Sequence, residues 1–256
     1  MKKQIVVCCV MLSALISSGC SISEADILAE NNSILSGESV ESETVKEHAV
    51  TDIQKEQNIS DKKKILDAYE AAVTTLRENY LLPDGTEVQH DSIDSGENSY
   101  AICDIDGDGT DELITVWNSA AMAGMQLGVY QYDIFSGTYN EEITIFPTVR
   151  FYDNGLLLAD WSHNQGKGVD IWPYSIYRYD QKQDKYIYQG CVDSWSIEAG
   201  GTDYPKEADR EGYGSVYMID YEGYDKDYYS KSEYDEFYEK LLDGAKEINI
   251  DYKILM

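Results

Sequence analysis

Ser99-Tyr-Ala-Ile-Cys103-Asp104-Ile-Asp106-Gly-Asp108-Gly109-Thr110-Asp111-Glu112-Leu113-Ile-Thr-Val-Trp117 decides how the chain folds. Its two ends, residues 99–103 and 113–117, are apolar, β-branched and aromatic, so they read as strands. Between them Asp104, Asp106 and Asp108 alternate, Gly109 holds the sixth place, Thr110 the seventh and Glu112 the ninth. Alternate acids aim their oxygens at one point, a glycine takes the sharp turn, and the seventh residue offers its backbone carbonyl, as in a calcium loop. The twelfth place is Thr115, where an EF-hand carries a bidentate glutamate. The loop therefore joins strands, not helices. Five acids within nine residues repel one another unless a cation neutralises them. The role expected of that ion is structural, because no base or nucleophile stands near it in the sequence.

This stretch resembles the FG-GAP repeat, the calcium loop between strands of integrin-type β-propellers, through Asp104, Asp106, Asp108, Gly109, Glu112 and Leu113. The resemblance covers roughly twenty residues, in one clear copy, and implies calcium held by Asp104, Asp106, Asp108, Thr110 and Glu112.

Working outward, a repeat appears. Tyr130-Gln-Tyr132-Asp133, followed by Gly137-Thr-Tyr139, returns 47 residues later as Tyr177-Arg-Tyr179-Asp180, followed by Asp184-Lys-Tyr186. Each copy reads as strand, polar turn, strand. Upstream of the second copy, Val149–Tyr152 and the run from Leu156 flank Asp153-Asn-Gly155, and Asn-Gly is a strong hairpin turn signal. Two units cannot close a propeller of four or more blades, so a continuous, twisted antiparallel sheet is expected. A further strand is read at residues 214–219.

Helices are expected at both ends of this sheet. Ile65, Tyr69, Ala72, Val73, Leu76 and Tyr80 recur at spacings of three and four, giving a helix over 61–80 with Ser60 as cap. A closing helix over 232–245 carries Tyr234, Phe237, Tyr238, Leu241 and Leu242, with Ser232 as cap. The fold class is thus α+β: a twisted antiparallel β meander of two repeated hairpin units, packed by an N-terminal and a C-terminal helix.

Lys2 and Lys3, an apolar run from Ile5 to Ile16, and Ser17-Ser18-Gly19 before Cys20 form a secretory signal. A cysteine directly after the small residues resembles the lipobox of bacterial lipoproteins, which implies that Cys20 becomes the lipidated mature terminus. Ser17 stands where the pattern usually has leucine. The organisation expected is a signal peptide at 1–19, a lipidated cysteine with a disordered acidic tether at 20–57, and one folded calcium-binding domain at 58–256. The lipid would hold the protein on the outer face of the membrane.

The net charge of −28 becomes −30 once Lys2 and Lys3 leave with the signal. Such a chain repels nucleic acid, which is not expected as a partner. Five cysteines fall to three without Cys8 and Cys9. With Cys20 lipidated, Cys103 and Cys191 are too few to read as a disulfide framework, and free thiols are favoured. Asp220, Glu222, Asp225 and Asp227 are acid-rich, but their spacing fits no calcium loop. His163 lies in a polar loop with no recognisable nucleophile.

The 22 tyrosines and four tryptophans suit a sheet with one wet face. They also suit a binding face, with Trp161, Trp172, Tyr174 and Trp195 as its candidates. The leading function read from the residues is a surface-exposed binding module for a glycan or a protein. The alternatives are a hydrolase acting on cell-surface polymers and a structural or assembly lipoprotein.

Overall fold

The computed structural model describes residues 41–90, 97–164 and 167–255, with side chains from 57 onward. The signal, Cys20 and the tether up to residue 40 lie outside the described residues. No helix among the described residues is long and apolar enough to cross a membrane.

The fold is α+β, with ten strands in two antiparallel five-stranded sheets and three helices among the described residues. The first sheet takes β1 (Ser99–Cys103), β2 (Glu112–Trp117), β3 (Gln126–Asp133) and β4 (Thr138–Ile145) as a meander, with β10 (Lys253–Ile254) added beside β1. The second takes β5 (Val149–Phe151), β6 (Leu156–Asp160), β7 (Tyr174–Asp180) and β8 (Lys185–Ser196), with β9 (Ser215–Asp220) beside β8. The meander units expected from the repeat are present, but as two sheets rather than one continuous one. The physical reason is in the central strands. All six residues of β2 and the first four of β6 are buried, so both faces of each sheet need cover.

That cover comes in four layers. Ile114, Val116, Leu127 and Val129 of the first sheet meet Phe151, Leu157, Ala159 and Tyr186 of the second in one apolar cluster. On the far side of the first sheet, Leu113 packs with Tyr69, Ala72 and Val73 of α1 (Glu41–Asn79). On the far side of the second, Leu156, Leu158, Tyr174 and Ile176 pack with Tyr234, Phe237 and Leu241 of α3 (Lys231–Leu242). A short α2 (Ile197–Gly200) follows β8.

The repeat is exact in register. Tyr132 pairs with Tyr139 and Tyr179 with Tyr186, and each hairpin shifts register at the same point, Val129/Tyr130 in one and Ile176/Tyr177 in the other. The facing is head to tail: Leu127 and Val129 point at the second sheet, whereas their counterparts Tyr174 and Ile176 point at α3. The two sheets therefore stack with unlike faces together, and a helix ends the stack on each side.

Three expectations shift. Helix α1 begins at Glu41, so residues 41–57, expected in the disordered tether, are helical; residues 38–82 contain neither Gly nor Pro and are rich in good helix formers. The cap of α3 is Ser230, not Ser232, in a capping box with Glu233. Tyr174, expected at a binding face, is a core residue at 2% exposure.

Candidate metal centre

The loop between β1 and β2 is built by its own carboxylates. Asp104 accepts from the Gly107 and Gly109 N–H groups at 2.8 and 3.0 Å. Asp106 Oδ1 accepts from Asp108 N at 2.9 Å, and Asp108 Oδ1 from Thr110 N at 2.6 Å. These bonds draw the three acids together, and an oxygen from each lies within 4.8 Å of the others. Gly109 has φ 92° and Gly107 φ 82°, a region where a side chain is strained. Gln131 of β3 donates to Asp108 Oδ2 at 3.2 Å. From α1, the Tyr69 hydroxyl donates to Asp111 O at 2.7 Å and accepts from Tyr132 N at 3.0 Å, tying the helix to the end of the loop.

Glu112 leaves this surface loop and points inward. It is fully buried, accepting from Ile105 N at 2.8 Å through Oε2, while Oε1 has no partner. Burial pushes its carboxyl from an ordinary 4.5 up to about 9; the Ile105 N–H works against this, and the neighbouring acids add to it. Asp106 is raised by burial too, against the pull of the nearby Tyr179 hydroxyl and the Asp108 N–H, and its buried Oδ2 makes no close hydrogen bond. The expected ligands Asp104, Asp106 and Asp108 are thus brought together. Thr110 follows them in the same loop, and Glu112 stands behind.

Two further acids join from elsewhere, and the sequence reading missed both. Glu142 of β4 and Asp184, in the turn between β7 and β8, each place a carboxylate oxygen within 4.8 Å of Asp106 and of one another. Glu142 is 3% exposed, and neither of its oxygens has a partner. The Tyr179 hydroxyl donates to Asp184 Oδ1 at 2.7 Å. Asp220, Glu222, Asp225 and Asp227 form no such group among the described residues.

Every ligand atom in these two groups is a carboxylate oxygen. That donor set suits a hard divalent cation and not zinc or copper. The orphaned oxygens of Asp106, Glu112 and Glu142 fit such an ion, because buried polar groups otherwise find hydrogen-bond partners.

Of the aromatic candidates, Trp161 and Trp172 meet, whereas Tyr174 is buried in the core. Trp172 is half exposed and donates from Nε1 to Trp161 O at 2.6 Å; Trp161 donates to Ser175 Oγ at 3.0 Å. Lys167 lies 4.6 Å over the half-buried Trp195 ring. Trp161 lines a groove of 440 Å³ with Asp193, Asp220 and Lys226. Cys103 and Cys191 are free thiols.

No family model, curated protein or solved structure matches the chain. The likeness to FG-GAP loops therefore rests on the loop residues alone.

Proposed function

We propose that this chain is a calcium-stabilised binding module, held on the outer face of a bacterial membrane by lipid on Cys20, with a glycan or a protein as its ligand. The observation that carries the ion is the set of buried, partnerless carboxylate oxygens behind the loop, Asp106 Oδ2 and Glu112 Oε1. In this reading Asp104, Asp106, Asp108, Glu112 and the Thr110 carbonyl hold calcium, and its role is structural. The signal ending at Gly19-Cys20 supports the anchor. The half-exposed Trp172 beside Trp161 supports recognition of a ring-bearing or apolar ligand.

Thermal unfolding in calcium and in chelator tests the ion. A ligand that binds only the native state stabilises it by about 2.7 kcal/mol at a hundredfold excess over Kd. For a domain of this size that raises Tm by about 5–10 °C, and Asp106→Ala is expected to abolish the rise. An identical Tm with and without calcium in the wild type would sink the ion reading. Separately, Cys20→Ser is expected to move the protein from the membrane fraction to the soluble one.

A further inference from the structure

We infer that the protein has a second divalent-cation site, set between the two sheets and formed by the buried Glu142 with the half-buried Asp106 and Asp184. It is separate from the loop ion, shares only Asp106 with it, and does not depend on that ion being bound. Its three ligands come from different parts of the fold: the β1–β2 loop, the β4 strand and the β7–β8 turn. An ion there ties the first sheet to the second.

The backbone explains how these acids meet. Along the β3–β4 ladder, Val129 pairs with Ile143 and Tyr130 with Glu141, so Glu142 is the extra residue of a β-bulge. A bulge re-aims a side chain, and here it turns a carboxylate into the inter-sheet space beside Ile143. Asp184 sits at φ 53°, an uncommon conformation for a residue other than glycine. The Tyr179 hydroxyl holds it at 2.7 Å.

Glu142 is the observation that demands a ligand. It is almost wholly buried, yet both its oxygens lack a partner. Ionised, it is an unpaired charge out of water, which proteins avoid. Protonated, its O–H makes no hydrogen bond in the structure and faces only the carboxylates of Asp106 and Asp184, within 4.8 Å. Either state leaves a buried polar group unsatisfied. A divalent cation bound to both oxygens removes the difficulty and also offsets the repulsion of Asp106, Asp184 and the neighbouring Glu112. Burial, reinforced by repulsion from Glu112, Asp106, Asp184 and Asp108, pushes Glu142 up to about 9 without the ion. Oxygen-only ligation by carboxylates selects calcium or a similar hard ion.

The test counts ions on the full-length chain. Metal-stripped protein is titrated with calcium alone, and bound calcium is counted calorimetrically and by native mass spectrometry. The wild type is expected to bind two ions, Glu142→Gln one and Asp108→Asn one. Terbium supplies an independent signal, since Tyr179 and Tyr186 lie close enough to the buried site to sensitise its emission. That emission is expected to fall severalfold in Glu142→Gln and to persist in Asp108→Asn. Asp184→Asn, at a turn, repeats the count should Glu142→Gln fail to fold. Two ions retained in Glu142→Gln or Asp184→Asn would overturn the inference. One ion in the wild type, lost in Asp108→Asn and kept in Glu142→Gln, would overturn it while leaving the loop reading intact. One ion lost only in Glu142→Gln would support it and remove the loop reading instead.

Discussion

The β3–β4 and β7–β8 hairpins are one design used twice, and they differ at the positions where acids enter. The bulge residue is Glu142 in the first and Gln189 in the second. The left-handed turn position is Gly137 in the first, at φ 71°, and Asp184 in the second, at φ 53°. Upstream, the first repeat has the acidic loop where the second has the Asn154-Gly155 turn. In the ladders, Glu112 precedes Leu113, the partner of Tyr130, as Leu156 precedes Leu157, the partner of Tyr177. Bulge and turn are thus common scaffold. Glu142 and Asp184 meet where the two repeats face each other, each standing on one side of that junction.

The comparison breaks most readily through pH. Glu112 and Glu142 have folded values of about 9 against an ordinary 4.5. A group raised on folding contributes stability that is present in full below its unfolded value and lost as pH rises through its folded one. In chelator, stability should therefore fall between about pH 4.5 and pH 9, by up to about 1.4 kcal/mol per pH unit for each group. Calcium should flatten that fall, and urea denaturation across pH with and without it reads both. A flat profile in chelator would mean that neither carboxyl is neutral in the fold.

Next in size is a control in the second repeat. Leu158 is fully buried on the α3 face, away from the acids, so Leu158→Ala should cost about 2–5 kcal/mol, equally in calcium and in chelator. A calcium-dependent cost would show that the second repeat feels the ion throughout.

Glu142→Gln gives the first repeat the amide type found at Gln189. In calcium it should lose roughly 2.7 kcal/mol, the increment expected from one ion at a hundredfold excess. In chelator at neutral pH it should be at least as stable as the wild type, since a carboxyl that must take up a proton to be buried is gone. The matching change, Gln189→Ala, should stay within about 0.5 kcal/mol in either condition.

The smallest effect sharpens the turn comparison. Asp184→Gly copies Gly137. Relief of a left-handed side chain of about 1 kcal/mol is nearly offset by the chain entropy of glycine, about 0.5–1 kcal/mol. The metal-free protein should barely change, while its calcium midpoint moves to higher concentration. A clear loss in chelator would assign Asp184 a purely structural role.

Much of this arrangement was legible. The strands flanking the loop, the repeat, the strand at 214–219 and the apolar faces of both helices follow from spacing alone, because period and burial coincide there. Glu142 and Asp184 did not, since 48 acidic residues give no means of choosing two. Glu141-Glu142 reads as a solvated strand edge until the bulge is known to turn one of them inward. The repeat held a signal that went unused, an acid at 184 in the place of a turn glycine. Tyr174 was misplaced for a related reason: alternation along a strand cannot say which face a neighbouring helix will cover.

The β10 strand has a kinetic consequence. Ser99 pairs with Ile254, Ile248 N donates to Phe151 O at 2.8 Å, and Ile248 and Ile250 pack against the inter-sheet cluster. One late segment therefore laces both sheets, closing a loop of about 150 residues around β1. Such a closure adds to contact order and slows folding. Until residues 248–255 arrive, β1 offers an open edge to any other strand. A chain emerging in order from a ribosome or an export channel would reach its native form only after this segment is free, so unfinished chains are the species most at risk of pairing with one another.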